Sequence, residues 1–421
     1  MTTTRLARTL DFTSALYLGL AHPSWALRPW PHLTTGVPAA LREAPWARAV
    51  AHDVARLVGC ERATLGTSTL HIFWDLFQEL AGEDAIIYMD AGLYPIGRWG
   101  IERAAARGIP VRIFPHHDAD ALRRALAQDA TARRRPLVAT DGFCPRCGRP
   151  APLAAYVEAA RRWGGTLVVD DTQALGILGR NPDPHTPYGT GGGGSLPWNG
   201  LAGPDMIVVA SLAKGLGVPV AVLTGSEAVV SRFEATSATR VHCSPPSVAT
   251  LHAAAHALVV NRTHGDRLRA RLGRLVALFR RQLFHAGFPM IGGLFPVQTL
   301  ATVRHDAAQR LHRALTQHNV LAVLRQDHTG ASPRLTFLLT ARHGPQDIAS
   351  LVAALAHHAF LPRDMRGPDM APRTPRPLGA PRQSRGAPRH SDSLLAMDRP
   401  TDVSPARRDA PPRSVTEVSE P

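Results

Sequence analysis

Met206-Ile-Val-Val-Ala-Ser-Leu-Ala-Lys-Gly-Leu-Gly217 (MIVVASLAKGLG) joins an apolar run to a turn that holds the only lysine in the chain. Of the 48 residues that are Lys or Arg, all except Lys214 are arginine. A guanidinium stays protonated in proteins, whereas an ammonium loses its proton when desolvated and then acts as a nucleophile. Two readings of Lys214 are open at this point, a leftover surface charge or an amine kept for chemistry. The run Met206 to Ala210 has the length and β-branched content of a buried strand.

Outward from this strand, helical and strand patterns alternate. Strands are expected at Ala85 to Met89, Val111 to Phe114, Pro136 to Thr140 and Thr166 to Asp170. Helices are expected at Ala47 to Val58, Leu70 to Leu80, Arg98 to Arg107, Ala121 to Ala127 and Leu153 to Trp163. This alternation predicts an α/β fold, a mainly parallel sheet with crossover helices. A long helical pattern from Pro246 to about His285 follows. Strands at Val297 to Val303 and Arg334 to Leu339 then suggest a smaller C-terminal α+β domain. The expected division is an N-terminal arm over 1–40, a large domain over 41–240, a small domain over 241–360 and a Pro/Arg-rich tail over 361–421. The tail is expected to be disordered, because it cannot bury enough apolar surface to offset its ordering entropy.

Composition narrows the function classes. An apolar fraction of 44% supports a substantial core. No apolar run is long enough for a membrane span, and no secretory leader is read at the N-terminus. Four cysteines in 421 residues do not make a disulfide framework, so a cytoplasmic location is expected. The net charge of +15 is spread over arginines at helical spacing, as in Leu268 to Leu275, and no nucleic-acid partner is expected.

Ligands of open parallel sheets bind beyond the carboxyl ends of the strands. Two such ends carry chemistry here, Asp170-Asp-Thr-Gln173 and Ser211-Leu-Ala-Lys214. Gly66-Thr-Ser-Thr69 precedes a helix whose free N–H groups favour a phosphate. An amine for a Schiff base, a carboxylate for a ring nitrogen and a helix start for a phosphate are the parts of a pyridoxal 5'-phosphate site.

Five segments resemble the α-oxoamine synthases, fold-type-I pyridoxal-phosphate enzymes that include 8-amino-7-oxononanoate synthase. They are DFTSALYLGLAHP from Asp11, TDGFCPRCGRPAPL from Thr140, LVVDDTQALGILG from Leu167, ASLAKGLG from Ala210 and RLTFLLTARHGPQDI from Arg334. They occur in family order over roughly residues 10 to 358. The resemblance implies a fold-type-I large domain and a smaller α+β domain. It implies condensation of an amino acid with an acyl-CoA or acyl-carrier thioester through a Lys214 Schiff base. Lys214 would also shuttle the α-proton, and Asp170 would pair with the pyridinium nitrogen. Ser211, Gly66, Thr67 and Ser68 would contact the phosphate. Ser244 would reach the phosphate of a second subunit, which implies a homodimer.

The departures from the family are milder on the cofactor side than on the substrate side. Tyr94 stands where the family stacks a histidine on the cofactor ring, and a tyrosine ring also stacks. Gln173 replaces a histidine and keeps a hydrogen-bonding amide. Gly36-Val-Pro38 lacks the arginine of the family's Gly-Ser-Arg. Thr336 replaces the arginine associated with the amino acid's carboxylate, and Arg334 is the residue expected to lean into its space. These changes keep open an aminotransferase on the same fold and, further off, a non-catalytic binding protein of that fold.

Other signals are read plainly. Gly191 to Gly194, with Ser195, is taken as a flexible loop. Cys144 and Cys147 have metal-ligand spacing, but no second pair sits at a compatible distance, so neither a metal site nor a redox pair is expected. His116 and His117 are taken as solvated, and Trp74 and Phe77 as core.

Overall fold

The computed structural model describes residues 8–82, 84–129, 134–301, 305–325 and 333–359. The expected 361–421 tail lies outside them. The described residues form an α/β fold around a seven-stranded sheet. Across the sheet the strands run Arg62–Gly66, Ala221–Gly225, Met206–Ser211, Thr166–Asp170, Arg135–Asp141, Ala85–Asp90 and Val111–Phe114. Ala221–Gly225 is antiparallel to both its neighbours, and every other pairing is parallel.

The apolar runs explain the central position of these strands. Ile86, Tyr88, Val138, Leu167, Val169, Met206 and Val208 turn to one face and pack in one core cluster. The alternating residues Ile87, Met89, Leu137, Ala139, Val168, Ile207 and Val209 turn to the other face and join a second. A parallel sheet covered on both faces needs apolar residues at every position, not at every second one. Serine side chains cap several of the helices at their starts. Ser68 accepts the His71 N–H before the helix Thr69–Ala81, and Ser247 accepts the Thr250 N–H before the helix Val248–His285. Gly59 ends the helix Ala47–Val58 at φ 89°, a conformation that costs glycine little.

A second, antiparallel sheet orders Met290–Ile291, Val297–Leu300, Arg334–Leu338 and Val323–Arg325. Its core cluster includes Phe279, Phe337 and Leu351. The N-terminal segment is stitched to this region. Leu10–Asp11 pairs with Val320–Leu321, and Leu338 and Ala341 donate to the carbonyls of Phe12 and Tyr17.

Two main-sheet strands, Arg62–Gly66 and Ala221–Gly225, are absent from the sequence reading. The helix Pro95–Ala105 also starts earlier than expected, with proline at its first position, where the missing N–H is not needed.

Candidate active site

Strand register brings the site together. Ser211 pairs with Ala221, and Ala221 pairs with Gly66. Two strand spacings separate Gly66 from Ser211, about 10 Å. On the other side Asp170 pairs with Val209 and with Asp141. The chain after Asp170 is then locked onto the lysine strand. Asp170 Oδ1 accepts the Thr172 N–H at 3.0 Å, and Thr172 Oγ1 accepts the Ser211 N–H at 3.1 Å. The loops leaving these two strands touch at glycines. A Cβ on Gly215 would lie 2.4 Å from the Leu175 carbonyl oxygen, and one on Gly176 would lie 3.1 Å from the Gly215 Cα. No larger residue allows this approach without moving Lys214.

Lys214 is half-buried, and its charged neighbours are Asp170 and Asp141. Its ammonium makes no hydrogen bond to a described residue. Burial pulls the amine below the ordinary lysine range, against the two carboxylates that hold it up. Burial also raises the Asp170 carboxyl, with its Thr172 contacts and Lys214 opposing. Asp141 is pushed well above the carboxylate range by burial and by the charge of Asp170. Behind them Asp171 accepts the Ser195 N–H at 2.8 Å and the Ser195 hydroxyl. Burial raises Asp171 to about 6.

The remaining expected residues are placed as follows. Gln173 Oε1 accepts the Tyr17 hydroxyl at 2.7 Å, which leaves its NH2 group as a donor. Ser211 Oγ accepts the Ala213 N–H at 3.2 Å. Gly66 ends its strand, and Ser68 caps the next helix. Thr67 Oγ1 donates to the Ser244 carbonyl of the same chain at 2.9 Å, and the Ser244 side chain is exposed. Tyr94 is 51% exposed at the start of the helix Pro95–Ala105, and its N–H donates to Asp141 Oδ1 at 3.1 Å. Arg334 and Thr336 lie in the second sheet. Arg334 is exposed, while Thr336 is buried and its hydroxyl bonds that of Thr299 at 3.0 Å.

Several expectations are corrected. His116 and His117 are not solvated: both are half-buried against Asp90 and Cys147. Trp74 is 45% exposed with the Arg103 guanidinium over its ring, so only Phe77 is core. The Gly191–Gly194 stretch is held in place. Gly191 donates to Asp266 and accepts from Asn261, and the Gly192 carbonyl accepts the Gly176 N–H at 2.8 Å.

Asp141 and Tyr17 are missing from the sequence reading. Asp141 ends a strand, and the strand-end rule that selected Asp170 would have found it. Tyr17 had no such signal, because its partner Gln173 lies far along the chain. Two surface clefts, about 550 Å³ around Asp53 and Arg180 and about 950 Å³ around Ala39 and Glu234, contain neither Lys214 nor Asp170.

This lysine–carboxylate arrangement on a mainly parallel sheet defines a fold-type-I transferase scaffold. Residues 66–355 match the family model for class I and II aminotransferases. An 8-amino-7-oxononanoate synthase of Alkalilimnicola ehrlichii is 31% identical, with 61% of this chain and 63% of that protein aligned. One from Aromatoleum aromaticum is 30% identical, over 72% of this chain and 75% of that protein. The chain thus spans less than two thirds of the length of the first of these relatives. A serine palmitoyltransferase from S. paucimobilis, solved with a PLP–myriocin aldimine, superposes with a TM-score of 0.73 at 16% identity, covering 83% of this chain and 87% of that one. The 8-amino-7-oxononanoate synthase of Francisella tularensis superposes with a TM-score of 0.64 at 18% identity, covering 83% and 98%. The chain belongs to the class I and II aminotransferase family, within its α-oxoamine synthase group.

Among the described residues no helix is long and apolar enough to cross a membrane.

Proposed function

We propose that this protein is a pyridoxal-phosphate-dependent acyltransferase of the α-oxoamine synthase type, joining an amino acid to an acyl thioester. The observation that carries this reading is one amine, Lys214, set beside the buried carboxylate Asp170 on adjacent strand ends. The donor set fits the cofactor: a lysine without a hydrogen-bond partner among the described residues, a carboxylate one strand away, and a capped helix start across the sheet edge. When bound, pyridoxal phosphate supplies an electron sink for the substrate's α-carbon.

The chain's own groups would then divide the work. Lys214 Nζ would hold the cofactor and move the substrate's α-proton, and a lowered amine pKa suits that role. Asp170 would hold a proton at the ring nitrogen. Ser211, Gly66, Thr67 and Ser68 would bind the phosphate, the Gln173 amide would donate to the cofactor's oxygen, and Tyr94 would stack on its ring. Arg334 and Thr336 belong to the substrate side, in the small domain taken as 241–360. A homodimer in which Ser244 serves the neighbouring site is supported by apolar residues left exposed near it. Leu33 and Val241 are more than one-third exposed, and the Leu33 carbonyl accepts the Val248 N–H. Four free cysteines support a cytoplasmic location.

Borohydride treatment of the protein loaded with pyridoxal phosphate should fix the cofactor on the peptide containing Lys214. Release of coenzyme A from an acyl-CoA and an amino acid should follow. One observation favours a second reading. Thr336 spends its hydroxyl on Thr299, so the family's carboxylate contact at this position is gone. Amino transfer to a keto acid without coenzyme A release would select an aminotransferase. Failure to bind pyridoxal phosphate would end both readings.

A further inference from the structure

The structure gathers a second chemical cluster that the transferase reading does not use. Cys144 and Cys147 lie in a small hairpin in which Phe143–Cys144 pairs with Arg149–Pro150. The sequence Cys-Pro-Arg-Cys-Gly turns tightly there. The Gly148 N–H donates to the Cys144 carbonyl at 2.9 Å, and Gly148 takes φ 67°, which favours glycine. The Cys147 N–H points at Cys144 Sγ from 3.4 Å. Amides aimed at a sulfur stabilise a thiolate, the form that binds metal.

Two histidines close on the same sulfurs from the end of the strand Val111–Phe114. His116 Nε2 lies 3.3 Å from Cys147 Sγ, and His117 Nδ1 lies 3.9 Å from it. The ligand atoms of His116, Cys144 and Cys147 all fall within 4.8 Å of one another. A tetrahedral zinc ion spaces its sulfur and nitrogen ligands roughly 3.3–3.8 Å apart. His117 reaches Cys147 but lies outside that three-residue group, so its ring must turn toward Cys144 to complete the set.

Asp90, fully buried, supports the cluster from behind. Its Oδ1 sits 2.6 Å from His116 Nδ1, and its Oδ2 accepts the His117 N–H and the Tyr156 hydroxyl at 3.2 Å each. A carboxylate on Nδ1 fixes the tautomer that turns the Nε2 lone pair to the sulfur, the usual outer support of a metal-bound histidine. In the metal-free protein one proton can be shared between this nitrogen and the sulfur, and a zinc ion displaces that proton and takes a lone pair from each. The backbone is bent to suit. His117 takes φ 59°, uncommon outside glycine, with its Nδ1 toward Cys147; its other ring nitrogen, Nε2, is buried with no partner among the described residues. A Cβ on Gly92 would lie 2.0 Å from His116 Nδ1, so only glycine leaves room for this ring. A simple disulfide pair would require none of these arrangements.

We propose that Cys144, Cys147, His116 and His117 form a four-ligand zinc site, with Asp90 orienting His116. Four protein ligands make it a closed, structural site. It ties together the chain segments that follow three neighbouring strands of the main sheet, beside Asp141 and the Asp90–Tyr94 loop.

The test is metal analysis of the full-length protein purified under reducing conditions. One zinc per chain is expected. Replacement by Co²⁺ should give tetrahedral bands at longer wavelength than the cofactor, with sulfur-to-cobalt charge transfer. Cys147→Ser and His116→Gln should lose the metal. If those variants aggregate, chelator competition on the wild type and on Asp90→Asn remains, and Asp90→Asn should bind zinc about 10- to 100-fold more weakly. Wild-type protein that keeps no zinc and gives no cobalt–sulfur band would overturn the proposal. So would a Cys144–Cys147 disulfide in metal-free protein alkylated at lysis.

Discussion

Asp141 and Asp170 stand side by side in register on adjacent parallel strands, and both lie within the field of Lys214. Paired residues of parallel strands point to the same face. Two buried carboxylates and one amine leave one negative charge over. Asp141, pushed well above the carboxylate range by burial and by Asp170, is the readier of the two to hold a proton. Asp170 is raised by burial too, but Lys214 and the Thr172 contacts oppose that rise.

The two acids should therefore respond differently to amidation. Asn is nearly isosteric with a protonated Asp, so Asp141→Asn should fold normally and gain stability over wild type as pH rises. Asp170→Asn should keep the fold but lower turnover by at least about 100-fold, within the usual range of an acid–base contribution. Thermal melts across pH together with a turnover assay would separate them. Equal losses of turnover would refute the assignment.

Lys214 should react as a base weaker than ordinary lysine. Trapping of pyridoxal phosphate by borohydride should rise with pH around a midpoint below the free-lysine value of about 10.4. Asp170 raises the amine's pKa, so Asp170→Asn should move that midpoint further down. A midpoint at or above free lysine, or an upward shift in the variant, would contradict this electrostatic account. Lys214→Arg should trap nothing, because guanidinium stays protonated.

Asp171 gives a pH signature of its own. Its carboxyl is raised to about 6 by burial, above the unfolded value. Its contribution to stability is then fully present below about pH 4 and is lost as pH rises through 6. The stability of Asp171→Asn relative to wild type should improve by roughly 2–3 kcal/mol across that window. The absolute offset also contains the altered Ser195 contact, so the slope, measured by denaturant melts at several pH values, is the test.

Thr336 and Thr299 satisfy each other in the second sheet. Thr336→Val should cost about 1–2 kcal/mol by leaving one buried hydroxyl unpaired, while Val at both positions should be close to neutral. A double-mutant cycle in urea measures the coupling. Thr336→Arg, which would recreate the family's usual residue, should destabilise the fold by burying a guanidinium and should not improve substrate binding.

Most of the main sheet was legible because its central strands are unbroken apolar runs of strand length. Arg62–Gly66 and Ala221–Gly225 were not, since each mixes small or polar residues with few apolar ones. Their place is set by partners that a linear pattern does not name. The amine and Asp170 were found by position at strand ends. Asp141 was passed over because Thr140 to Leu153 was read as a motif and not as the end of a strand. The histidines beside Cys147 were hidden for a related reason. The chain near Cys144 and Cys147 offers no second ligand pair, whereas the fold supplies one from the far side of the strand that carries Asp90.

The register of Ser211 with Ala221 also bears on how the protein assembles. Lys214 lies in a short loop whose two ends are fastened to adjacent strands, so it is in effect the tip of a hairpin. Closing such a loop takes little chain entropy and needs no distant segment. The nucleophile can therefore be set early in folding. Asp170 and Gly66 reach it only through longer-range pairings, which form more slowly. Refolding followed at Lys214 should show the amine protected before the carboxylate that pairs with it has arrived.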